Sequence, residues 1–175
     1  GRQTASDEQS PGTLTEKILD QSYDYPLTSF FQINPEVLNQ ILTLASLVEK
    51  EGATDEDRRN IASVFYNRLN IDMPLQSNIA ILYAMGKLGE KTTLAEDAAI
   101  DTNINSPYNI YVHPGLMPGP VGSPSLAAIQ ATVNPNKTDY YYFVADVTTG
   151  TVYYSATIEE HNQNVEKYVN SKLNQ

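Results

Sequence analysis

The sequence predicts an α+β domain, mainly helical with one small β-hairpin. Apolar residues recur at helical spacing over 35–51 and again over 55–69. A run rich in aromatic and β-branched residues, interrupted by Thr-Thr-Gly, marks two short antiparallel strands within 140–155. Ser, Thr and Asn stand where helix N-caps are required.

Residues Gly1 to Gly12 are polar and turn-rich and read as a disordered arm or expression remnant, leaving one folded unit over 13–175. Thr13, with Glu16 three residues on, caps a short helix from Leu14 to about Ser22. Tyr23, Tyr25, Phe30 and Phe31 give the following stretch, to Ile33, the character of a packed loop. Asn34 is a good N-cap and Pro35 fits the first position of the strongest helix, which ends before Gly52. Its stripe comprises Val37, Leu38, Ile41, Leu42, Leu44, Ala45, Leu47 and Val48.

Thr54 caps a second helix, Asp55 to about Leu69, with acids in its first turn and Arg68 in its last. A third helix starts near Ser77 and ends at Gly86, and a shorter one runs from Leu94 to Ile100. Prolines, asparagines and glycines break any period over Asp101–Ser123, which reads as a long loop of the kind that carries function. Ser123-Pro124 opens a helix to about Val133. After the hairpin, Thr157 caps the last helix, with Glu160 completing a capping box.

Composition narrows the function. The 21 acidic against 11 basic residues give a formal charge of −10, which argues against nucleic acid and anionic lipid as partners. No stretch approaches the roughly 20 apolar residues of a membrane span. Without cysteine there is no disulfide, thiol nucleophile or thiolate metal site. His113 and His161 stand far apart, neither in a metal-binding spacing, so no metal and no cofactor is expected. No serine elbow or phosphate cradle is present either.

Carboxylates remain, and Leu47-Val-Glu-Lys-Glu-Gly52 is the best candidate. Glu49 and Glu51 fall on opposite margins of the apolar stripe, where a carboxyl is partly desolvated yet reaches a cleft. Both sit at a helix C-terminus, against the macrodipole. Periodicity alone does not choose between them.

Several blocks occur in a recognisable order. They are Leu44-Ala-Ser-Leu-Val-Glu-Lys-Glu-Gly52, Arg59-Asn-Ile-Ala-Ser-Val-Phe-Tyr-Asn-Arg-Leu69, Met73-Pro-Leu-Gln-Ser-Asn78 and Ile81-Leu-Tyr-Ala-Met-Gly86. Ser106-Pro-Tyr-Asn-Ile-Tyr111, Gly115-Leu-Met-Pro-Gly-Pro120, Tyr142-Phe-Val-Ala-Asp146 and His161-Asn162 follow. Together they cover roughly residues 35–172 and resemble the YceG-like family of endolytic murein transglycosylases, in wording like that of streptococcal and other Gram-positive members. The resemblance implies a lysozyme-like catalytic domain over 13–175, with the acid/base on Glu51. It puts Gln76, Ser77, Tyr108, Asn109 and Tyr111 in the glycan groove, with Glu49 as a further contact. Asn78 stands where many members have Asp, Ile110 where Thr is usual and Met117 where Pro is usual. The first departure argues against a second carboxylate serving as nucleophile near residue 78.

The family's reaction cleaves the bond between N-acetylmuramic acid and N-acetylglucosamine, forming 1,6-anhydro ends with one glutamate acting as acid and then base. The implied setting is the extracytoplasmic face of the bacterial membrane, reached through an N-terminal anchor outside these residues. The implied partners are peptidoglycan strands and the elongation machinery. The sequence leaves two rivals: a muramidase-type hydrolase and a non-catalytic glycan-binding module.

Overall fold

A computed structural model describes residues 34–173, less 92, 94, 95 and 98. The expected arm over 1–12, the helix over 14–22 and the loop over 23–33 lie outside the described residues. So do Leu94, Ala95 and Ala98 of the expected short helix; its remnant, Glu96 and Asp97, is helical and capped by the Thr93 hydroxyl.

Helix α1 spans Pro35–Glu51, with the Asn34 side chain accepting from the Glu36 amide at 2.9 Å. Its inner stripe is Val37, Ile41, Leu44, Ala45, Leu47 and Val48, the last four with no exposed surface. Helix α2, Asp55–Leu69, is capped by Thr54, whose hydroxyl accepts from the Asp57 amide at 3.1 Å. Ile61, Val64 and Phe65 are fully enclosed. The junction between the two helices is tight: a Cβ on Gly52 would lie 2.7 Å from Arg58 Cγ and 3.0 Å from its backbone nitrogen.

Helix α3, Asn78–Ala84, is short and capped by Ser77. Helix α4, Leu126–Val133, packs against both α1 and α2 through the small buried residues Ala128, Ala131 and Thr132, and Tyr66 of α2 donates to the Thr132 carbonyl at 2.8 Å. Its N-cap is Ser125, two residues after the expected Ser123, because the Ser125 hydroxyl accepts from the Ala128 amide at 3.2 Å.

Strands β1 (Tyr142–Ala145) and β2 (Val152–Ser155) pair antiparallel, Phe143 opposite Tyr154. The turn is closed by Asp146, which accepts from Thr148 and from the Gly150 amide, and Gly150 takes the left-handed conformation at φ 73°. Phe143 meets Phe65 edge-on at 6.0 Å, and Tyr154 donates to Asp57 at 2.8 Å, so the hairpin is fastened to α2. Helix α5, Ile158–Val165, is capped by Thr157; Glu160 reaches back to the Ala156 amide, one residue before the cap. It continues through a π-helical turn, Glu166–Asn170, into Ser171–Leu173. There Lys172 pairs with Asp146 at 3.2 Å, and Tyr168 stacks on Tyr153 at 3.7 Å, which folds α5 back onto the hairpin.

Gly52→Ala forces a Cβ against the Arg58 backbone, and overpacking of this kind costs about 1–3 kcal/mol. Chemical denaturation will show a lower midpoint with an unchanged slope.

Candidate active site

Helix α1 delivers Glu51 as its last residue, at the edge of the buried core. The Ser77 hydroxyl donates to Glu51 Oε1 at 2.6 Å, while Ser77 Oγ itself accepts from the Ile79 amide at 3.2 Å as the α3 cap. Oε2 has no partner among the described residues. Desolvation pushes the Glu51 carboxyl above the ordinary glutamate range, and the Ser77 hydrogen bond opposes this in part. Although the residue keeps some exposure overall, its carboxyl end is enclosed by protein.

Glu49, two residues earlier, meets the opposite fate. Its carboxylate accepts from the Ser125 hydroxyl and, at 3.2 Å, from the Ser125 amide, and these bonds hold its pKa below the ordinary value. One acid is therefore kept ionised as a brace for α4, the other pushed toward its neutral form.

Glu51 opens into a cavity of about 480 Å³. Gln76, Ser77, Asn78 and Tyr111 line it together with Glu51; Arg68, Tyr142, Phe143, Ile158, His161 and Asn162 supply the rest of the wall. Gln76 sits in the left-handed region at φ 55°, where a side chain is strained, and its amide is tied to the Ile110 carbonyl at 3.0 Å. Tyr111 donates to Asn78 Oδ1 at 2.6 Å. Burial raises the Tyr111 pKa, and the charge of Glu51 adds to the rise while Arg68 opposes it.

Arg68 is 5% exposed and donates from Nε to the Tyr141 carbonyl at 2.6 Å and from Nη1 to that of Leu75 at 2.8 Å. Its guanidinium lies over the Tyr142 ring, 5.3 Å from the centroid, and Tyr142 stacks on His161 at 5.2 Å. Burial, then the charge of Arg68, lowers the His161 pKa. His161 Nδ1 is buried with no hydrogen-bond partner among the described residues.

The structure thus gathers Glu51, Gln76, Ser77 and Tyr111 as expected. Three expected contacts fall elsewhere. Glu49 is occupied by Ser125. Asn109 has no exposed surface; its amide nitrogen donates to the Thr102 and Ile104 carbonyls and its oxygen accepts from the Tyr111 amide, so it shapes the loop that presents Tyr111. Tyr108 packs on Tyr83 at 4.8 Å, outside this cavity. Sequence reasoning missed Arg68, Tyr142 and His161 as wall residues. All three stand in the recognised blocks, but helical or strand period reads them as a last-turn cation, a hairpin ring and a surface polar group.

A carboxyl whose folded pKa is raised binds protons more readily in the folded state, so its contribution to stability falls as pH rises from the unfolded value through the folded one. Glu51→Gln will therefore stabilise the fold more at pH 8 than at pH 4, by about 1.4 kcal/mol for each unit of the upward shift. Thermal unfolding at the two pH values checks this; a larger gain at pH 4 would reverse the assignment.

The profile of the YceG-like family matches residues 5–167. Over 137 residues the chain is 68% identical to an endolytic murein transglycosylase of Streptococcus pneumoniae serotype 2, covering 78% of this chain and 25% of that protein. An endolytic murein transglycosylase of Bacillus subtilis is 42% identical over 168 residues, covering 93% of this chain and 45% of that one. A crystal structure of a yceG-like protein from Listeria monocytogenes superposes with a TM-score of 0.67 at 39% identity, covering 85% of this chain and 42% of the other. The chain spans less than half the length of each of these relatives. With a family match across most of its length, and a solved relative of the same description sharing its fold, this chain belongs to the YceG-like family.

Proposed function

We propose that this domain is a lytic murein transglycosylase in which Glu51 is the single acid/base. One observation carries the reading: among the described residues lining the cavity, Glu51 is the only carboxylate, and burial holds it toward the protonated form. Hydrolysis by ordinary glycosidases uses two carboxyl groups, one to protonate the leaving oxygen and one to activate water or attack the sugar. A cavity with one acid fits a reaction whose nucleophile comes from the substrate itself.

In this mechanism Glu51, protonated on Oε2, gives its proton to the oxygen joining C1 of N-acetylmuramic acid to the next N-acetylglucosamine. The C1–O bond breaks and the leaving sugar departs with a free 4-hydroxyl. Glu51, now a carboxylate, takes the proton of the muramic 6-hydroxyl as that oxygen closes on C1. The product carries a 1,6-anhydro ring, water is not consumed, and the enzyme regains its starting proton. Each proton transfer by a positioned side chain is typically worth about 10² to 10⁴ in rate. Ser77 steadies the carboxylate half of the cycle, since it donates to Oε1. Gln76 and the Tyr111–Asn78 pair supply polar groups for the oxocarbenium-like transition state. The substrate would be peptidoglycan, acted on outside the cytoplasm, with Glu51 at work on nascent strands beside the elongation machinery.

Glu51→Gln will release no anhydro-muropeptides from uncrosslinked glycan while keeping the circular dichroism of the parent. Mass spectrometry of the products separates the lyase from a hydrolase, which adds one water per cut; water-added products would sink the one-acid mechanism. Ser77→Ala removes the hydrogen bond that lowers the Glu51 pKa. The basic limb of the kcat/KM profile, where Glu51 loses its proton, will therefore move to higher pH, and a move to lower pH would contradict the role given to Ser77.

A further inference from the structure

Arg68 is the unexplained group in this cavity. Its guanidinium is almost wholly buried, yet no ion pair among the described residues includes it. Nε and Nη1 are engaged by the carbonyls of Tyr141, Leu75 and Pro74, which leaves Nη2 with no protein acceptor among the described residues. Burying a cation without a counter-charge is costly, and carbonyl dipoles recover only part of the loss. A strut tying α2 to residues 74–75 and 141 needs donors to those carbonyls; it does not need a full charge or a spare prong.

The neighbouring titratable groups sharpen the point. Burial drives Glu51 toward its neutral acid, and burial with the nearby guanidinium drives His161 toward neutral imidazole. The cavity wall is then left with one positive charge, in a chain whose formal charge is −10. That charge is badly suited to the reacting carbon, because the transition state there is itself positive. It suits an anion carried elsewhere on the ligand, and a guanidinium fork matches the two oxygens of a carboxylate.

We propose that Arg68 binds a carboxylate borne by a substituent of the glycan, such as an acyl or peptide group appended to an amino sugar, so that the cavity selects carboxylate-bearing strands. The inference deepens the reading of this site as glycan-cleaving and rests on it. Arg68 is thereby a specificity-determining residue, and Glu51 keeps the chemistry.

The test uses the whole chain carrying Glu51→Gln, so that ligand is held without turnover. Two soluble muropeptide fragments, identical except that one has a free carboxylate and the other its carboxamide, are titrated by calorimetry. The free carboxylate will bind at least about tenfold more tightly, as a charge-assisted pair requires. In Arg68→Gln, and to a lesser degree in Arg68→Lys, the preference will shrink to about twofold or less. Equal affinity for the two fragments with Arg68 intact overturns the inference, and this arm does not depend on whether the Arg68 variants fold. A preference surviving in a folded Arg68→Gln protein also overturns it. Failure to bind either fragment would instead bring down the glycan reading, and this inference with it.

Discussion

The rotational phase of α1 governs the rest of the site. The deepest line along the helix runs Val37, Ile41, Leu44, Val48, in steps of four, three and four residues. Glu51 takes the next place in that series. It follows Leu44 by seven residues, about 20° off in angle, so the packing that buries Leu44 completely also turns Glu51 inward. Gly52 then leaves the helix in an extended conformation, φ −101° and ψ 121°, at a place where no side chain fits between its backbone and Arg58. A carboxyl is carried to the edge of the core and the chain is turned away before another residue can cover it.

That placement separates two acids that differ little in sequence. Glu49 and Glu51 share one helix end, yet Glu49 accepts two hydrogen bonds from Ser125 and is stabilised as an anion, whereas Glu51 receives one and is desolvated. Environments that push two carboxyls in opposite directions are how a fold assigns different tasks to the same side chain. The cavity extends the pattern to a base, since burial and then the Arg68 guanidinium push His161 toward neutral imidazole.

Much of the fold was legible in local chemistry. Asn34, Thr54 and Thr157 each cap the helix they were expected to cap, because N-cap preference is a short-range matter of one hydroxyl or amide and a free N–H. The cap of α4 lies at Ser125 and not Ser123: Pro124 mimics a first helical residue, but it is the Ser125 hydroxyl that accepts from the Ala128 amide, while also donating to Glu49, far away in sequence. The Glu49–Glu51 tie persisted because Leu38 and Leu42, only half-buried, widen the apparent stripe on the Glu49 side. The part of the wall built by Arg68, Tyr142 and His161 depends on α5 folding back over the hairpin, a long-range arrangement with no local period. Asn109 illustrates a related point: polar residues in a long loop invite a ligand-contact reading, while burial shows this one bonded to the loop's own carbonyls.

The depth of Arg68 also bears on how the domain meets its ligand in time. At physiological salt a charge is felt over about 8 Å, so a guanidinium set into a wall does not guide a distant anion inward. The acidic chain around it acts against approach. Attraction begins only once the ligand is seated, and it then slows departure rather than hastening arrival. If Arg68 holds a carboxylate as proposed, the domain would meet anionic strands slowly and also release them slowly.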